Sequence, residues 1–188
     1  MPRTFGHPGF AQSWLILVME KRIKKIKALI LDVDGVLTDG KIILDSTGKE
    51  TKNFDVKDGF ALVLLKRAGF KTAIITARAS KVVSFRAKDL NMDKVYQDAY
   101  PKIDAYQKFL RTLKVRNEEV CFVGDDLPDI QVLRKVGFAV AVSDAVPQVK
   151  KVVHYVTKSK GGAGAIREIV ELILKTQGKW QKILSRYL

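Results

Sequence analysis

The 188-residue sequence predicts an α/β fold: a Rossmann-like parallel sheet with helices on both faces, a β-hairpin flap after the first strand, and no separate cap domain. Three observations predict it. Short apolar runs alternate with amphipathic runs from Ile26 onward, the pattern of a parallel sheet covered on both faces. Two of the apolar runs end in acidic clusters, Asp32-Val33-Asp34 and Asp125-Asp126-Leu127-Pro128-Asp129. In an open parallel sheet, ligands bind at the carboxyl ends of the strands. One segment, 41–54, breaks the alternation with two short runs around Asp45-Ser46-Thr47-Gly48, the pattern of a hairpin.

Taken in order, strands are expected over Lys27–Val33, Lys71–Thr76, Lys94–Tyr96, Val120–Val123, Phe138–Val142 and His154–Val156. Helices are expected near Gly59–Ala68, Ser80–Leu90, Lys102–Leu113, Asp129–Val136, Pro147–Val152 and Ala163–Thr176. Asp58 suits the cap of the first helix, and Gly69 suits the position just past its end. Pro128 suits a first helical turn, where a missing N–H costs nothing. The hairpin follows directly after the double-aspartate turn and is expected to project over the strand ends. The expected organisation is an N-terminal extension over 1–25, one domain over 26–179 and a C-terminal tail over 180–188. Met19 is a candidate start, with residues 1–18 an upstream extension.

Composition narrows the function classes. A hydrophobic share of 47% fits a globular chain with a sizeable core. Cys121 is the single cysteine and lies in an apolar run, so it reads as a buried, inert thiol in a reducing compartment. The run Trp14–Met19 is shorter than the ~20 apolar residues that span a bilayer. It also lacks the flanks and cleavage site of a signal peptide. The net charge of +14 is carried by dispersed lysines without interleaved aromatics. It reads as a solvated surface, with no nucleic-acid partner expected. His7 and His154 have no ligand-spaced partners.

Chemistry concentrates at the strand ends. A carboxylate there can attack phosphorus, and its neighbour two positions on can trade a proton with the leaving group. Carboxylates converging from two strands repel one another unless a cation joins them, and Mg²⁺ suits oxygen ligands together with a substrate phosphate. Thr76 ends a third apolar run, where its hydroxyl can hold phosphate oxygens. Lys102, at a helix start after Pro101, can neutralise phosphate charge.

This order of motifs resembles the haloacid dehalogenase superfamily of phosphohydrolases, from Ile26 to about Lys179. Several stretches resemble its capless 3-deoxy-D-manno-octulosonate 8-phosphate phosphatases: Asp32–Gly40, Asp58-Gly59, Ile75–Ser80 with Arg86, Lys102, Gly124–Asp129 and Gly161–Glu168. The resemblance implies a haloacid-dehalogenase-like fold and a Mg²⁺-dependent phosphatase that works through an aspartyl-phosphate. In it, Asp32 is the nucleophile and Asp34 the general acid and base. Asp32, Asp34 and Asp125 hold the metal, with Asp126 and Asp129 behind them. Thr76 and Lys102 grip the phosphoryl group. Asp55, Lys57, Asp58, Gly59, Arg78 and Arg86 face the acidic sugar or its phosphate.

The implied role is cytoplasmic, in lipopolysaccharide precursor synthesis. The implied assembly is a homotetramer whose neighbouring hairpins and C-terminal segments roof the site. A sialic-type 9-phosphate (N-acylneuraminate or its deaminated analogue) is the alternative substrate. A non-catalytic binding or assembly module is the alternative class. Against that class, an idle copy has no chemical reason to keep Asp32, Asp34, Lys102 and Asp125 together.

Overall fold

The structure is a computed structural model that describes the backbone of residues 8–188 and the side chains of residues 16–188. Six parallel strands form its centre: β1 (Ala28–Leu31), β4 (Lys71–Ile75), β5 (Lys94–Tyr96), β6 (Val120–Gly124), β7 (Phe138–Ala141) and β8 (Tyr155–Val156). Their order is β5-β4-β1-β6-β7-β8. All six expected strands are present, with ends that differ from the expected bounds by at most two residues. β1 lies in the middle, with Ile30 beside Ala73 of β4 and Phe122 of β6. Every residue of β1 and β6 is buried, which explains why both read as unbroken apolar runs.

The hairpin consists of β2 (Ile43–Leu44) and β3 (Glu50–Thr51), paired antiparallel with Ile43 opposite Thr51. Asp45 holds its turn by accepting from the Thr47 and Lys49 amides at 2.9 and 2.8 Å. Among the described residues, no further domain covers the sheet.

Helix α1 (Pro8–Ile23) precedes the sheet, and α2 (Val56–Arg67) follows the hairpin. After β4 come α3 (Lys81–Asp89), then α4 (Lys102–Leu113), α5 (Ile130–Leu133), α6 (Pro147–Lys150), α7 (Ala165–Thr176) and α8 (Trp180–Leu184). One group of packed helices comprises α1, α2 and α7; another comprises α4 and α5. In α7 the buried residues Ile166, Ile169, Val170, Ile173 and Leu174 recur at helical spacing and form one apolar stripe. Burying each such side chain contributes about 1.5–3 kcal/mol. Cys121 is fully buried, and its burial raises the thiol pKa, as its apolar surroundings predict.

Three local expectations differ from the structure. The sequence carries no periodic signal for an element before Ile26, yet α1 runs from Pro8 to Ile23 and plants Ile23 in the core. Residues 1–7 lie outside the described part. The cap of α2 is Asp55, which accepts from the Lys57 and Asp58 amides at 2.6 and 3.0 Å. Asp58 instead turns inward, accepting from the amides of Gly164 at 3.2 Å and Arg167 at 2.8 Å. It therefore caps α7 from a neighbouring helix, a long-range contact that local spacing cannot reveal. Finally, Pro128 sits second in a short 3₁₀ turn over Leu127–Asp129, and only Ile130–Leu133 continues as α-helix.

Candidate active site

The carboxyl ends of β1, β4 and β6 meet in one cleft of ≈ 290 Å³. Asp32 and Asp34 come from the turn after β1, Thr76 and Arg78 from the loop after β4, and Asp125 and Asp126 from the loop after β6. Lys102 reaches in from the first turn of α4. Three loops and one helix start thus converge where β1 has neighbours leading in opposite directions, the switch point of the sheet.

The innermost layer is an ion cluster. Lys102 is 3% exposed, yet its ammonium lies 2.9 Å from Asp32 and 2.6 Å from Asp129. Burial works against this cation, but the two carboxylates outweigh it and hold its pKa above the usual range. Asp129 is wholly buried and also accepts the Asp125 amide at 2.9 Å. Asp129, rather than Asp126, therefore fixes Lys102 to the β6 loop. Asp126 accepts the Leu127 amide and opens the 3₁₀ turn.

Ligand oxygens of Asp32, Asp125 and Asp129 lie within 4.8 Å of one another. Burial first, and then repulsion from Asp129, pushes the Asp32 carboxyl up to about 7. Burial, followed by the charges of Asp32 and Asp129, pushes Asp125 up to about 8. Asp125 Oδ1 is buried without a hydrogen-bond partner. An orphaned carboxylate oxygen beside two more carboxylates is the environment that a hard divalent cation satisfies, so the donor set fits a magnesium-type ion. The approach depends on Gly35, which adopts φ +86°; a Cβ there would stand 2.1 Å from Asp125 Oδ2. The late glycine-rich stretch has a similar steric cause. A Cβ on Gly161 would stand 1.8 Å from the Gly35 carbonyl oxygen, so this stretch braces the β1 loop from behind.

The outer layer joins the flap to the cleft. Lys52, directly after β3, has a side chain only 1% exposed. It donates to Asp34 and lies 3.2 Å from Glu50. Arg78 bridges the same pair, 3.5 Å from Asp34 and 3.0 Å from Glu50. Ser80 also donates to Glu50, and this bond, followed by Lys52 and Arg78, lowers the Glu50 pKa. Sequence reasoning missed Glu50 and Lys52. The available signal was strand alternation, which puts residues two apart on one face and aims both inward.

Of the residues expected to face substrate, Arg78 lines the cleft, whereas Asp55, Lys57, Asp58, Gly59 and Arg86 lie outside it. Asp55 and Asp58 cap helices, and Lys57 is exposed on the first turn of α2. Arg86 stands 5.6 Å over the Phe54 ring and pairs with Asp89 at 2.6 Å. A Cβ on Gly59 would stand 2.1 Å from the Arg86 guanidinium, so that glycine makes room for it.

Comparison with known proteins agrees with this geometry. A family described as haloacid dehalogenase-like hydrolase matches residues 74–169. The 3-deoxy-D-manno-octulosonate 8-phosphate phosphatase of Yersinia pestis is 43% identical over 159 residues, 85% of each chain. A hydrolase structure from Legionella pneumophila, described as haloacid dehalogenase superfamily subfamily III A, superposes with a TM-score of 0.92 at 41% identity. The match covers 95% of this chain and 98% of that one. The octulosonate 8-phosphate phosphatase of Moraxella catarrhalis, solved with magnesium, phosphate and the octulosonate, superposes at 0.88 with 39% identity. It covers 90% of this chain and 98% of that one. The chain belongs to the haloacid dehalogenase-like hydrolases, in their 3-deoxy-D-manno-octulosonate 8-phosphate phosphatase family.

Proposed function

We propose that this chain hydrolyses 3-deoxy-D-manno-octulosonate 8-phosphate to the free sugar acid and phosphate, in the cytoplasm, as a step toward lipopolysaccharide. The observation that carries the proposal is the Asp32–Lys102–Asp129 cluster at the strand ends, with the unpartnered Asp125 oxygen beside it. The relatives' substrate and the magnesium, phosphate and sugar acid of the Moraxella catarrhalis complex support it.

In this reading an Asp32 oxygen forms a bond to phosphorus as the bond from phosphorus to the sugar oxygen breaks. Asp34 gives its proton to that departing alkoxide, a poor leaving group without it. Asp34 then takes a proton from a water that attacks the aspartyl-phosphate, releasing phosphate and restoring Asp32. Lys102 and the Thr76 hydroxyl hold the phosphoryl oxygens, on which negative charge spreads in the transition state. Asp32 and Asp125, with the Asp34 backbone carbonyl, would hold Mg²⁺. The metal's charge, when bound, stabilises the same oxygens. Arg78, half-exposed at the mouth, offers its guanidinium to the sugar carboxylate.

The same proposal includes a homotetramer. The cleft is open within one chain, and Ile42 and Leu44 of the flap are 60% and 58% exposed beside it. A second copy seated there gives the apolar flap a partner and shields the cleft from water. Asp55, Lys57 and Arg86 belong to the proposed substrate surface only through such an assembled site, whereas Asp58 and Gly59 are buried within the chain and support it from behind.

The proposal is tested by Mg²⁺-dependent phosphate release over a panel of sugar phosphates. The octulosonate 8-phosphate is expected to give the highest kcat/KM. A higher value for a sialic-type 9-phosphate, or equal values for simple phosphate esters, would overturn the substrate assignment.

A further inference from the structure

A second, larger cleft of ≈ 720 Å³ opens at the opposite end of the sheet, where β1, β4 and β6 begin. Seven cations and two carboxylates line it. Both carboxylates are already matched. Glu119 lies 2.6 Å from Lys27 and 3.3 Å from Arg116, and Glu118 lies 3.3 Å from Arg116. Five lysines remain: Lys24, Lys25, Lys71, Lys114 and Lys179. Lys71 reaches only to 4.0 Å from Asp93, which Lys66 approaches more closely at 3.3 Å. Lys179 stands 4.4 Å over the Phe70 ring. Among the described residues, Lys24, Lys25 and Lys114 have no carboxylate within 4.0 Å.

These cations sit on backbone that is fixed independently of them. The Gln177 amide donates to the Ile23 and Ile26 carbonyls at 3.0 and 2.8 Å and clamps the turn that carries Lys24 and Lys25. The Lys27 amide bonds to the Glu119 carbonyl at 2.8 Å, and the Lys71 amide to the Lys27 carbonyl at 2.9 Å. Three turns are thereby tied together. Lys114 ends α4 at φ 52°, in the left-handed region where glycine is the usual helix terminator. A cation therefore occupies a position that backbone preference alone assigns to glycine. Ile26 and Phe70, both buried, form an apolar floor between the charged turns.

Like charges held in one cleft without counter-charges raise its potential until an anion enters. Phosphoryl groups match this set, because each offers several oxygens to the ammonium donors. The volume falls within the roughly 300–1,000 Å³ of small-molecule sites. We propose that this cleft binds a soluble, multivalent phosphate-bearing small molecule, such as a polyphosphate or a nucleoside polyphosphate, at a site separate from the acidic cleft. The phosphate groups contact Lys24, Lys25 and Lys114. The proposal does not depend on the phosphatase reading.

Calorimetric titration of sodium tripolyphosphate into the metal-free full chain tests it, comparing the wild type with the Lys25→Gln/Lys114→Gln double variant. The variant is expected to bind at least about tenfold more weakly while its phosphate-release activity stays within about twofold. Both positions are surface lysines, and matching thermal unfolding of the two proteins checks that the fold is kept. No binding by the wild type, or equal binding by the double variant, would overturn the proposal. Vesicles of phosphatidylglycerol and a single-stranded oligonucleotide form the other arms. Retention on either that tripolyphosphate fails to displace would assign the cleft to a surface or a polymer and overturn it as well.

Discussion

Lys52 of the flap donates to Asp34 of the β1 turn, and its side chain is almost wholly removed from water. A lysine on a two-stranded hairpin is ordinarily solvated. Burying this one is tolerable because Asp34 and Glu50 both face it. The contact fixes the proposed general acid to the flap.

Lys52→Met is expected to lower kcat on the sugar phosphate by about tenfold or more, through misplacement of the Asp34 proton. An aryl phosphate, whose leaving group needs little protonation, should lose much less. Comparing kcat for the two substrates checks this. An equal loss on both would assign Lys52 to binding or folding instead.

Asp58→Ala removes the acceptor for two amides at the start of α7. The expected loss is about 1–2 kcal/mol of stability, the range for removal of a helix cap. Urea unfolding measures it. A loss near zero would show that water replaces the carboxylate, which its burial argues against. Burial raises the Asp58 pKa, opposed by the Arg167 and Gly164 amides.

Glu119 supplies a pH-dependent contribution. Bonds from Lys27, followed by the Arg116 amide and guanidinium, hold its pKa at about 2, below the ordinary 4.5. A depressed carboxylate pKa stabilises the fold above the unfolded value and loses that effect as pH falls toward the folded value. The stability difference between wild type and Glu119→Gln is therefore expected to be full above about pH 5 and to shrink between pH 4.5 and about 2. Denaturant midpoints across that window check the sign.

Ile42→Glu places a charge on the exposed face of the flap. Light scattering is expected to show the wild type at the mass of the proposed tetramer and this variant at a lower mass, with a lower kcat/KM as the cleft loses its proposed roof. An unchanged mass and activity would remove the flap from the proposed subunit contact.

The sheet was legible because β1, β4, β6 and β7 are buried on both faces and so carry little but apolar residues. Asp32, Asp34 and Asp125 were legible because each follows such a run. Lys52 was not, since a lysine in a polar hairpin looks the same whether its tip meets solvent or a carboxylate. Asp58 and Asp129 also depend on tertiary contacts. One caps a helix more than a hundred positions away, and the other fastens Lys102 across the cleft. Helix α1 escaped notice because its apolar residues form a block instead of a stripe.

Asp32 carries the central claim, because the proposed aspartyl-phosphate forms on its carboxylate. Mg²⁺-dependent phosphate release from the octulosonate 8-phosphate by Asp32→Asn tests it most directly. The account predicts a fall of at least about 10³-fold with the fold intact. Turnover within a few-fold of the wild type would contradict it.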